Sequence, residues 1–439
     1  MNTLLLHPSD VLFFKDGRPM SGSLSGHGAA WPLPTVINAA LHAALHRAEI
    51  AGVHGHDHHR SKEQPIADTR KFGSLLTAGP FPVDAAGNWY FPRPLDANGK
   101  GSTAATFLPI TATGPSSLPQ PLQYPVANSE DASKETPAPW WDAHAWTAYL
   151  SGGAITGGDH FKSDAAFSEA EHTYGIGIDP DTATQNGDSF YSASYLRLKP
   201  GCSLGLVAEA QDKIANDRSN KRDLIEKLFP HHGKTPSVIV GGQQRVCSVE
   251  CRHSASPPFP VGQTAGFISH GEKWLVKWIL LTPAIFPEIG DHNGGWLPSW
   301  IRHTDGKVML KSGDTTRGER EGREAWRKRI ASLPEIAATL VAAMTGKPLP
   351  ITGYALPNEA DPDRANGGAK STHLAVPAGS VYYFITSEPE TLAAALNWHG
   401  ASPGTEIQNR RSTLMGEKGF GLGACSAWSF HPGDIPGHP

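Results

Sequence analysis

Histidine and cysteine are the residues of this chain best equipped for chemistry, with 21 of the first and four of the second. His54, His56, His58 and His59, with Asp57 among them, could offer nitrogen and oxygen ligands to a divalent ion. Their segment, residues 54–66, has no apolar framework to fix ligand geometry, and a working metal site needs support from rigid elements. A solvated loop is expected there, and neither a metal nor any other cofactor is assigned. His27 sits in a Gly/Ser-rich stretch from Ser21 to Gly28, where an imidazole could deprotonate a 2′-hydroxyl. One histidine among 21 fits a phosphate contact, or no role, better than a catalyst, so no catalytic residue is assigned. Cys247, Val249 and Cys251 alternate within Val246-Cys247-Ser248-Val249-Glu250-Cys251, the pattern of one buried strand face rather than of metal ligands.

The remaining candidates are groups that can hold an anion. Lys15 and Arg18 flank an Asp16-Gly17 turn, and Ser25 and His27 lie in the loop after it. Pro34-Thr35 opens a helix, with Thr35 as its expected N-cap. Gly416-Glu417-Lys418-Gly419-Phe420-Gly421-Leu422-Gly423 partly matches the spacing of a dinucleotide fingerprint, but a strand follows it where that motif requires a helix. It is also no NTPase phosphate loop, since no Gly-Lys-Ser/Thr occurs. Its glycines allow either close approach to a polyanion, with backbone N–H groups exposed and Lys418 adding charge, or merely a tight turn. Trp140, Trp141 and Trp146 could stack bases, although helical tryptophans more often pack inward.

The elements that must position these groups read as follows. Leu4 to Phe14 has strand composition, and Val36 to Arg47 has helical spacing. Tyr174–Ile178 and Phe190–Leu198 flank a turn-rich stretch, as in a long hairpin. A short helix from Arg222 to Leu228 precedes Val238-Ile239-Val240-Gly241-Gly242 and the cysteine strand. The second half repeats this order, from a strand at Trp274–Leu281 to a short helix at Thr391–Trp398, the glycine loop and a strand at Ala424–Trp428. Residues 302–329 carry dense mixed charge, with a helix expected near Ala325–Ala331, and look like an exposed excursion. Because strands come in adjacent pairs, the order fits an α+β fold of two β-α-β-β-α-β, ferredoxin-like (RRM-like) domains, at 1–260 and 261–439. Residues 54–66 and 95–139 read as mobile loop insertions.

At 439 residues, two domains are the natural expectation. The net charge of −4 gives no support to wholesale nucleic-acid binding, so any RNA contact must be local. No apolar run approaches the ~20 residues that span a bilayer. The start has no basic segment followed by a small-residue cleavage site, and four cysteines are too few for a disulfide framework, so a cytoplasmic, reducing location is expected.

Several segments taken together resemble one known family. Pro8-Ser9-Asp10-Val11-Leu12-Phe13-Phe14-Lys15-Asp16-Gly17-Arg18-Pro19 is similar to the opening of the RAMP-superfamily subunit three of type III-B CRISPR (Cmr) complexes, with Lys15 where that family has arginine. Gly175–Asp179, Phe190-Tyr191, Gly241-Gly242-Gln243-Gln244-Arg245, Leu281–Phe286 and Val376–Phe384 look like further landmarks, in the family's order. Ile351-Thr352-Gly353-Tyr354 and Gln243-Gln244 depart from its usual Gly-Trp and Gly-Glu. The resemblance runs from about residue 8 to 428 and implies two RRM-related domains, with the family's glycine loop at Gly419–Gly423. It implies a non-catalytic, RNA-binding role: holding the repeat-derived 5′ tag of a guide RNA beside the large polymerase-like subunit and other RAMP subunits, with no membrane partner. Lys15, Arg18, Ser25, His27, Thr35, Gln243, Arg245, Lys418 and the loop residues Gly419, Phe420, Gly421, Leu422 and Gly423 are then the expected RNA contacts, with Phe420 as a stacking platform. The rival expectation is a metal-independent endoribonuclease on the same fold, with His27 as base.

Overall fold

The computed structural model describes residues 1–15, 24–26, 31–48, 75–98, 104–111, 116–130, 134–153, 159–210, 223–230, 236–290, 294–318, 321–355 and 368–432. Arg18, His27 and the histidine-rich segment at 54–66 lie outside these residues. The main elements of the first half are β1 (Asn2–Pro8), β2 (Leu24–Gly26), α1 (Pro34–Arg47), β3 (Leu75–Val83), α2 (Ala143–Ser151), β4 (Ser168–Ile178), β5 (Gln185–Leu198), β6 (Ser203–Ala210), α3 (Leu224–Leu228), β7 (Ser237–Ile239) and β8 (Val246–Arg252). Those of the second half are β9 (Lys273–Leu280), α4 (Arg323–Ser332), β10 (Ala338–Met344), β11 (Val381–Thr386), α5 (Pro389–Leu396) and β12 (Gly423–Ala427). The fold is α+β, built on antiparallel sheets with few helices.

The first sheet runs β7-β8-β1-β6-β3, all neighbours antiparallel. β1 sits at its centre with both faces covered, which is why Leu4, Leu5 and Leu6 form an unbroken apolar run. On one face α1 lays down Ile37, Ala40, Leu41, Ala44 and Leu45, a helical stripe at the spacing that points one way from a 3.6-residue turn. Leu4, Leu6, Cys247 and Val249 meet this stripe, and α3 completes the layer with Leu224 and Ile225. The cysteine strand therefore alternates as its sequence suggests, and among the described residues no group of His, Cys, Asp and Glu is placed to hold a metal. Thr35 is not the cap of α1. The helix begins one residue earlier, at Pro34, whose fixed φ and missing N–H suit the first helical position.

The second sheet places β12, β9, β11 and β10 side by side, with the short strand Ile268–His270 on the same edge of β9 as β12. α5 covers one face through Leu392, Ala393 and Leu396. The helix expected between β9 and β10 is absent from that face. Phe286, Leu297, Ile301 and Val308, in irregular chain, fill the layer instead, while α4 buries none of its residues.

Between the sheets lies a second core. Ala78, Phe81 and Val207 of the first sheet face Leu275, Ile279, Tyr383 and Ala424 of the second, and Trp141, Trp146, Tyr149 and Leu150 from α2 and its approach fill the space. Both buried tryptophans thus serve packing and not base stacking. Within the expected insertion at 95–139, Asp96 and Ala97 are fully buried and anchor its start in this core. Alternation along β9 turns Lys277 toward the same core as Leu275 and Ile279, and Asp96 meets its ammonium at 2.7 Å. Tyr149 donates its hydroxyl proton to the other carboxylate oxygen at 2.6 Å, and its ring lies 4.2 Å from the ammonium. Burial pulls the Lys277 ammonium below its ordinary range, with Asp96 acting against that shift.

Candidate nucleic-acid interface

The expected contacts fall into two groups, and the two differ in what they leave exposed. The first gathers around a long two-stranded arm. β4 and β5 pair in antiparallel register from Ser168–Leu198 at the root to Ile178–Gln185 near the tip, with a bulge between Gln185 and Phe190. β2 adds a third, parallel strand that sets Ser25 beside Ser192. At the root, Leu12 pairs with Leu196, so the segment leading to exposed Lys15 is tied to the arm.

A polar network braces this root from the side of β7 and β8. Their connection passes through Gly241 at φ 75° and Gln243 at φ 57°. A side chain at position 241 would collide with the Phe13 carbonyl, so glycine is required for the turn to pack under the opening segment. The turn presents Gln243, which donates to the Tyr195 hydroxyl at 3.0 Å and accepts from Arg245 at 3.1 Å. Arg245 also lies 5.3 Å from the centre of the Tyr195 ring and 3.3 Å from Asp10. Asp10 pairs in turn with Arg197, which reaches Glu171 at 2.8 Å. The hydrogen bond from Gln243, with Arg245 nearby, lowers the Tyr195 phenol, and the bond to Glu171 raises Arg197. Gln243 and Arg245 are thus brought together with Lys15 and Ser25 on one part of the molecule.

Strand alternation gives the arm two faces. Glu171, Tyr195 and Arg197 share the braced face. The other carries Tyr174, Ile176 and Ile178, which are 72%, 52% and 62% exposed. Three large apolar side chains in a row, turned to solvent, are unusual for a solvated sheet. This stripe was missed as a site in the sequence, although the alternation of Tyr174, Ile176 and Ile178 with glycines carried its signal.

The second group corrects an expectation. From Lys418 to Leu422 the glycine loop turns its N–H groups to the protein itself and not to a ligand. Lys418 and Phe420 donate theirs to the Met415 carbonyl, Gly419 to Gly416, Gly421 to Pro283, and Leu422 to the Thr282 hydroxyl. Phe420 is fully buried with Ile285, Ile351 and Ala375, under Leu33 at the start of α1, so it is no stacking platform. Leu422 belongs to the core between the sheets, and Gly423 already lies in β12. The Arg410 guanidinium ties the loop to β3, donating to the Thr77 and Gly416 carbonyls at 2.7 and 2.8 Å. Apolar residues at 420 and 422 pull the chain inward, and the glycines between them permit the close approach. Of this group only Lys418 and Thr35 keep partly exposed side chains.

No helix among the described residues is long and apolar enough to cross a membrane. Comparison with known proteins gives a match to a family model described as CRISPR-associated protein (Cas_Cmr3), over residues 4–428. None of the curated proteins matches. Among solved structures, the chain is similar to one from a type III-B Cmr-beta complex bound to cognate target RNA and AMPPnP, with 14% identity, a TM-score of 0.40, and coverage of 87% of this chain and 86% of that one. A second, from Cmr-beta bound to cognate target RNA, gives 15%, 0.39 and the same coverage. A third, from a Csm1-Csm4 cassette in complex with AMPPNP, gives 10% and 0.28 over 69% of this chain and 82% of that one. A family match that spans both sheets and every element of the candidate interface makes the chain a member of the CRISPR-associated Cas_Cmr3 family, RAMP subunits of RNA-guided defence.

Proposed function

We propose that this protein holds the repeat-derived 5′ tag of the guide RNA in a type III-B ribonucleoprotein and docks the large polymerase-like subunit and other RAMP subunits beside it. The reading treats the chain as two ferredoxin-like domains divided near residue 260. In support, the strands of each half that belong to such a unit lie in the spatial order fourth-first-third-second: β8-β1-β6-β3 and β12-β9-β11-β10.

The observation that carries the proposal is the open apolar face of the β4–β5 arm. Single-stranded RNA presents unstacked bases, and proteins hold these on exposed aromatic and aliphatic groups set on rigid elements, with cations nearby for the phosphates. Tyr174 takes the stacking role first expected of Phe420. The Asp10–Arg197–Glu171 and Gln243–Tyr195–Arg245 contacts keep the arm's root rigid, and Lys15 and Arg245 stand near it as phosphate partners. Arg18, Ser25, His27, Thr35 and Lys418 remain proposed contacts. The loop from Gly419 to Gly423 is reassigned to holding Lys418 and the start of α1 in place.

The test is guide retention by the assembled complex. Tyr174→Ala with Ile176→Ala should lower the guide RNA that copurifies and remove crosslinks between this subunit and the tag. Full retention with an unchanged tag crosslink would sink the proposal. Cleavage of repeat RNA by the isolated chain without added metal, abolished by His27→Ala with binding intact, would replace it with the endoribonuclease reading.

A further inference from the structure

Nine of the chain's 38 lysines and arginines fall between Arg302 and Arg329, against five acids, although the whole chain has a net charge of −4. This excursion occupies the place in chain order of a core helix, but α4 buries nothing, so its position is not set by the hydrophobic effect. A ten-residue helix without tertiary support is marginal in water.

Polar contacts supply that support. Arg329 donates to both carboxylate oxygens of Glu321, at 2.8 and 3.0 Å, and to the Asp314 and Thr316 carbonyls, each at 2.7 Å. Trp326 donates its indole proton to the Thr315 carbonyl at 3.0 Å. The clamp engages Arg329 and leaves other cations out. Arg323, Arg327 and Lys328 are exposed, and no ion pair or hydrogen bond joins their side chains to any described residue. Positions 323 and 327 lie one turn apart on one side of the helix, and 328 lies about 100° further round, with exposed Glu324 between 327 and 328.

We infer that α4 is a second RNA contact, which binds the phosphate backbone without regard to sequence through Arg323, Arg327 and Lys328. The inference rests on the RNA-binding reading of the protein but uses none of its tag contacts. A protein partner fits the surface less well. Protein interfaces have a core depleted of charge, and this helix exposes cations with no large apolar group among the exposed residues. A polyanion needs only charge and a fixed scaffold, and both are present.

The experiment measures binding of the full chain to two single-stranded RNAs of equal length, one with the tag sequence and one with it scrambled, over a range of salt. Each phosphate contact to a single strand contributes roughly 0.7 to the slope of log K against log salt. Replacing all three cations by alanine should therefore lower the slope by about 2 for both RNAs, while lysine at 323 and 327 should preserve it. An unchanged slope overturns the inference, as does loss of another protein subunit from the complex with RNA binding intact. If wild-type protein binds both RNAs equally and the slope still falls, the tag reading fails and this one stands. Discrimination for the tag with an unchanged slope overturns this inference and leaves the tag reading standing, and no binding to either RNA at low salt sinks both.

Discussion

Phe420 separates what a residue type can do from what its surroundings let it do. An aromatic side chain between glycines is a reasonable base-stacking platform, yet this one is fully buried. Phe420→Ala should cost roughly 3–5 kcal/mol of stability, the range for emptying an aromatic core site, seen as a lower midpoint in chemical denaturation. RNA contact by the surviving folded protein should be little changed. Gly421→Ala should also destabilise, since its φ of 77° and the nearby Ser412 backbone leave no room for a side chain. The sequence shows the glycines and the charge of Lys418, but whether an N–H is free depends on partners such as Pro283 and Thr282, which lie far away along the chain. Gln243 and Arg245 were legible as candidates. Their neighbours Asp10, Tyr195 and Arg197 were not, because only the tertiary fold brings three separate segments to one place.

Elements with strong periodicity were the ones the sequence revealed. α1 has its stripe at 37, 40, 41, 44 and 45, β8 alternates, and the arm announces itself by two extended segments around a turn-rich stretch. The missing core helix of the second half was not legible, because Phe286, Leu297, Ile301 and Val308 cover the sheet from irregular chain with no period to read. α4 was foreseeable as an exposed helix, and its clamp leads to a pH prediction. The Arg329 hydrogen bond holds the Glu321 carboxyl down at about 2, against an ordinary 4.5. A carboxylate depressed in the folded state stabilises above its ordinary value and loses that contribution as pH falls through the depressed one. The clamp should therefore be intact above pH 4.5 and released progressively toward pH 2. The Trp326 indole N–H resonance should report this, moving with pH in the wild type. In Glu321→Gln it should already sit near its released position at neutral pH.

For the molecule as a whole, the Asp96–Lys277 pair joins the inserted segment to the second sheet inside a core they share with the first. Asp96→Ala would leave a buried ammonium without its counter-charge, at a cost of roughly 3–5 kcal/mol. Replacing the pair together, with Asp96→Leu and Lys277→Met, should recover most of that loss in the same denaturation experiment. A lysine flanked by Leu275, Val276, Trp278 and Ile279 on a central strand already signals a buried acid. Nothing in the aperiodic chain near residue 96 identifies which acid it is.

The strand order of the first sheet also bears on how the protein is made. β1 lies between β6 and β8, and Thr3 stands opposite Arg252, so β1 leaves the ribosome long before β8, the neighbour it must pair with. At about 5–20 residues per second the wait is roughly 12–50 s. Throughout it, Leu4-Leu5-Leu6 has an unpaired edge, the kind of surface on which nascent chains pair with one another. A ribosome that stalls short of Arg252 would release a chain in that aggregation-prone state.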